Sequence, residues 1–133
     1  MADVVSSRTL HDAERNVVMQ FTNRSDGSGE AAVKKVDVSA LNPNSNGQAC
    51  SQVRIMQIWF STVGMSVELL WDATTDDLAW ALPENLVDSF DFRNVGGLKN
   101  PETSGFSGDL MLTTIGHTNA DTYNITIAMR KEY

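Results

Sequence analysis

The chain has 133 residues, 41% of them hydrophobic, and a formal net charge of −7 from seventeen acids against ten bases. That length reads as one domain, able to bury roughly two-thirds of its unfolded surface and so to hold a core without metal or disulfide. The acidic balance disfavours nucleic acid or an anionic membrane as partner, and a single cysteine, Cys50, excludes an intramolecular disulfide framework.

Residues 1–14 are polar with a few apolar points, Val4, Val5 and Leu10, and read as a short N-terminal arm lying on the domain or on a neighbour. The start lacks the charged and apolar blocks of a signal peptide, and no apolar stretch approaches the ~20 residues of a membrane helix. The expectation is a soluble protein made in a cytosol. On that expectation the sequons Asn23-Arg-Ser25 and Asn124-Ile-Thr126 are accidental.

From 15 to 133 the pattern predicts a single β-sandwich domain. Asn16 to Thr22 alternates, with Val17, Met19 and Phe21 on one face. The turn formers Asn23 to Gly29 lead to a returning strand over Ala31 to Val38, where Lys34-Lys35 breaks the alternation at a bulge or on an edge. Leu41 to Gln48 is an exposed loop. Gln52 to Phe60 and Met65 to Asp72 form the clearest strand pair, and Trp59 and Trp71, in step with Ile55, Val67 and Leu69, are expected in the core.

Leu78 to Leu82 is a short strand stopped by Pro83, which has no amide proton for a ladder. Val87 to Arg93 holds another, followed by a loop from Asn94 to Gly108. Asp109 to Ile115 and Thr122 to Arg130 make a final hairpin around Gly116 to Asp121. About eight short strands with turns between them predict an all-β fold, an antiparallel β-sandwich or jelly roll.

Residues that could carry chemistry do not assemble into a known motif. Asp72-Ala-Thr-Thr-Asp-Asp77 lacks the spacing of a calcium loop and reads as a solvated turn. Gly96-Gly97-Leu98-Lys99 lacks the Gly-Lys-Ser/Thr ending of a phosphate loop. His11, His117 and Cys50 are too few for zinc, and no nucleophile elbow is present. No catalytic residue, metal or cofactor is expected. Trp80, beside Pro83, is the candidate surface aromatic.

Several segments occur in a familiar order: Arg8-Thr-Leu-His-Asp12, Arg15-Asn-Val-Val18, Val67-Glu-Leu-Leu-Trp-Asp-Ala-Thr74, Gly96-Gly97-Leu-Lys-Asn100, Ser107-Gly-Asp-Leu-Met-Leu-Thr-Thr114 and Tyr123-Asn-Ile-Thr-Ile-Ala-Met-Arg-Lys131. Together they resemble small structural proteins of tailed bacteriophages, in particular the jelly-roll cement, or decoration, proteins of the capsid exterior. The resemblance implies a virion structural protein that catalyses nothing, needs no cofactor and binds the major capsid protein lattice as a homodimer or homotrimer. Partner contacts are then expected from isolated apolar and charged residues outside the sandwich, Val4, Val5, Arg8 and Leu10 in the arm and Leu98 and Phe106 in the late loop, and from Trp80 in its short strand. The loop Asn42 to Gln48 is a further contact candidate. Competing expectations are a head–tail or tail component, and a carbohydrate-binding sandwich using Trp80 and Trp59.

Overall fold

A computed structural model describes residues 4–73, 75–101 and 105–133 of the chain. Among them the alternating segments form nine strands: β1 (Val4–Asp12), β2 (Asn16–Asp26), β3 (Val33–Val36), β4 (Gln52–Val63), β5 (Ser66–Ala73), β6 (Asp77–Leu82), β7 (Val87–Asp91), β8 (Phe106–Ile115) and β9 (Asn119–Glu132). Eight lie where alternation placed them. The ninth corrects the expected arm, because Val4–Asp12 pairs antiparallel with β2 as a strand of the domain. It shows no alternation because neither of its faces is buried, so no selection for a wet side and a dry side marks it.

The pairings explain the architecture. β5 pairs with β6, β4 with β7, β3 with β8 and β2 with β9, all antiparallel. From β2 to β9 the chain is therefore one long hairpin, closed between β5 and β6. Rolling that ribbon sets β9 beside β4 and β8 beside β5. Two sheets result, in the orders β1-β2-β9-β4-β7 and β3-β8-β5-β6, so the expected β4–β5 pair and β8–β9 hairpin do not form: the members of each are joined by a turn but lie in different sheets. This is the strand order of a jelly roll, with β1 added outside β2.

The core lies between the sheets. Val17, Met19 and Phe21 of β2 and Ile125, Ile127 and Met129 of β9 face Val67, Leu69 and Trp71 of β5 and Leu110 and Leu112 of β8. Trp71 is 1% exposed, as its phase predicts. Trp59 is not in the core. The β4–β9 register shifts between Ile55 and Gln57, so Met56 is an extra residue that moves the inward set from Val53 and Ile55 to Ile58 and Phe60. Trp59 is thereby turned outward and is 41% exposed.

Glycine is required where β8 passes the start of β4. A Cβ on Gly108 would lie 1.9 Å from the carbonyl oxygen of Ser51, and its φ of +87° is one that other residues rarely adopt.

Two buried ion pairs close the sandwich at polar points. Glu30 lies between β2 and β3, and its Oε2 sits 2.5 Å from Lys35 Nζ, with both side chains under 10% exposed. Glu30 Oε1 accepts from Asn23 Nδ2 (2.7 Å) and Tyr123 Oη (2.6 Å), so one carboxylate joins β2 and β9 to β3 across the layers. The Glu30 amide donates to Thr114 Oγ1 of β8 at 2.9 Å. In the second pair the fully buried Lys131 ammonium donates to Asp12 and to the Asn42 carbonyl, the latter at 3.0 Å. That contact fastens the end of β1 to β9.

Candidate functional site

An open sandwich leaves four sheet edges, each a row of backbone donors and acceptors that another strand can complete. Three of them are short and shielded. β3 has four residues, among them Lys34 and Lys35, with a register shift between Lys34 and Val36. β6 has six residues, a register shift against β5 and Pro83 immediately after it. β7 has five, two of them aspartates.

The shielding charges are held in place. Lys34 bonds Asp109 at 2.9 Å, which raises its pKa further above neutrality. At the end of β7, Asp91 accepts from the Arg93 guanidinium and backbone, which holds its carboxyl below the usual range.

The fourth edge is different. β1 has nine residues, and the eight from Val4 to His11 are all exposed. Within the strand Arg8 is the only Lys, Arg, Asp or Glu before Asp12, and the strand contains no proline. Val4 is 72% exposed, Val5 49% and Leu10 47%. The sheet that carries β1 has five strands and the facing sheet four. The Glu30–Lys35 contact sets β3 over β2, and Trp80 packs on Phe90 to set β6 over β7. β1 therefore overhangs the sandwich with no strand opposite it. Its far end alone is covered, where Asp12 Oδ2 accepts from the Asn42 amide at 3.0 Å.

The expected contact residues divide into two groups. Val4, Val5, Arg8 and Leu10 come together on this edge. Trp80 and Leu98 are instead used within the domain. Trp80 is half-buried and meets Phe90 and Phe92 edge-on, at centroid distances of 5.3 and 4.8 Å, sealing the β6–β7 side of the core. Leu98 packs on the core and exchanges both backbone hydrogen bonds with Ile55. Phe106 opens β8 opposite Ala73, and its side chain lies outside the described residues.

The contact loops are also more ordered in part than solvated connections require. Asn44 Oδ1 accepts from the amides of Asn46 and Gln48, and Glu14 accepts from the amide and hydroxyl of Ser45, which lowers the Glu14 pKa. Of the loop from Asn94 to Gly108, residues 102–104 lie outside the described residues, as do residues 1–3 of the N-terminal segment.

The residues weighed for chemistry stay apart. Among the described residues no three His, Cys, Asp or Glu side chains converge on a point that could hold a metal, and no pocket opens. Cys50 is buried, its thiol donates to the Gln52 carbonyl at 3.2 Å, and burial pushes its pKa up. Asp76 accepts from the Ala73 amide, and Asp72 from the Ser107 hydroxyl at 2.6 Å. These two acids fix the strand-end turn; Thr74 of that segment lies outside the described residues.

Trp59, expected in the core and weighed as a platform only in the carbohydrate-binding reading, is a surface residue. It stands on the outer face of the five-stranded sheet, in register with Ser89 and Thr126, while Ser61 and Asn124 are paired two positions along. The sequence signal was available: the apolar pairs Val53/Ile55 and Ile58/Phe60 are out of phase by one residue.

No protein-family model matches the chain, and no curated protein matches it.

Proposed function

We propose that the chain is a virion structural protein, a capsid cement that binds the outer surface of the major capsid protein lattice and stabilises the head. The observation that carries this reading is the open β1 edge. Unpaired backbone groups flanked by Val4, Val5 and Leu10 form a surface that fits another polypeptide better than it fits a small substrate. A jelly roll tied across its layers by a buried carboxylate is a rigid body, suited to holding neighbouring capsomers together. Contacts repeated over a shell resist the loss of any one of them, so each site can be weak. The protein acts without cofactor, nucleic acid or membrane, as a homo-oligomer on the capsid exterior after synthesis in the host cytoplasm.

Sedimentation tests this reading. Purified chain mixed with expanded shells lacking it is expected to pellet with them in hundreds of copies per particle. Binding confined to tails, at tens of copies or fewer, would move the chain to a head–tail or tail role. A reading of another class is favoured by one observation: Trp59 lies among Ser89, Thr126 and Ser61, an aromatic face beside hydroxyls of the kind that stacks on sugars. Saturable change of tryptophan fluorescence by a glycan, lost in Trp59→Ala, would support carbohydrate binding instead.

A further inference from the structure

We propose that a second copy of this chain pairs along β1, antiparallel about a two-fold axis at Ser7, joining two five-stranded sheets into one of ten strands. The proposal deepens the cement reading by naming the oligomer and its contact, and rests on that reading for its biological role.

Three observations carry it. First, of the four edges only β1 is long, and from Val4 to His11 it carries a single charge, Arg8, and no proline. Second, the overhang leaves room. The facing sheet ends at β3, over β2, so a partner's β1 can dock without meeting a second layer.

Third, the strand is complementary to itself in one register. A two-fold axis requires each residue pair to be reciprocated. Centred on Ser7, it places Val4 opposite Leu10, Val5 opposite Thr9 and Arg8 opposite Ser6. Exposed apolar residues then cover one another, and no charge opposes a like charge. Centred on Arg8, the same strand would set two guanidinium groups face to face, a destabilising arrangement. The register shift between Thr9 and His11 marks where a regular ladder would end. Leu10 is the extra residue at that shift, so the regular paired stretch is Val5 to Thr9 with the Val4–Leu10 contacts at its two ends, and the covered end at Asp12 stays outside it.

The mass and cross-linking of the full chain, measured in solution without capsids, test the contact. Wild type is expected at twice the 14.6 kDa chain mass. Under mild oxidation Ser7→Cys is expected to form a covalent dimer at least about tenfold faster than Val63→Cys, since self-opposed strand residues fall within disulfide reach. Val63 is likewise exposed, on β4. Val5→Lys with Thr9→Lys sets like charges opposite in two places and is expected to weaken the dimer at least about tenfold, whereas Val5→Lys with Thr9→Glu restores it.

All four positions are exposed, and an unchanged thermal midpoint shows that each variant is folded. A monomeric or trimeric wild type, or equal cross-linking at positions 7 and 63, overturns the proposal. Capsid occupancy is measured separately. Dimers that never sediment with shells would remove the cement role and leave the contact standing, and monomers that decorate shells would do the reverse.

Discussion

Glu30→Ala is expected to lower the unfolding free energy by about 3–5 kcal/mol, the range for removing one partner of a buried ion pair. The substitution strands Lys35 at 6% side-chain exposure and takes the shared acceptor from Asn23 and Tyr123. Urea unfolding at neutral pH measures it as a lower midpoint with an unchanged slope. Glu30→Gln with Lys35→Met removes both charges together and is expected to recover most of the loss. A change below about 1 kcal/mol for Glu30→Ala would be that of a solvated surface pair, and would mean that the carboxylate does not bridge the sheets.

The second large effect separates two tryptophans that share an apparent phase. Trp71→Ala empties the centre of the core and is expected to cost about 3–5 kcal/mol, while Trp59→Ala on the outer face stays within about 1 kcal/mol. Against a total stability of about 5–15 kcal/mol for an ordinary domain, the first change is severe and the second is slight. The same denaturant titration reads both. Equal losses at the two positions would show that β4 keeps one phase throughout and that Met56 is not a bulge.

The period-two signal located strands where it records which side of each is dry, most clearly in β2, β4, β5 and β9, while the short strands β3, β6 and β7 were marked by their turn residues and apolar content. It failed in two places for physical reasons. β1 has no dry side, so Val4 to Asp12 reads as an arm although it pairs with β2 on both sides of Leu10. One extra residue at Met56 reverses the faces of β4, so Trp59 was assigned to the core from the phase of Ile55. Lys34-Lys35 was more legible: a doubled lysine breaking an alternation marked an edge strand with a register shift.

Long-range pairings leave no local trace. Nothing near Glu30 announces Tyr123 or Thr114, and nothing near Leu98 announces Ile55. The open edge, the main feature of the candidate site, depends on strand order. Strand order arises from the rolling of the β2–β9 ribbon and cannot be read from any one segment.

The claim that this jelly roll is a capsid cement is tested most directly by an electron-microscopy map of the particle that contains it. The account predicts sandwich-shaped density on the outer surface of the head, spanning adjacent capsomers and repeated over the shell. Density for the chain in the tail alone would contradict it.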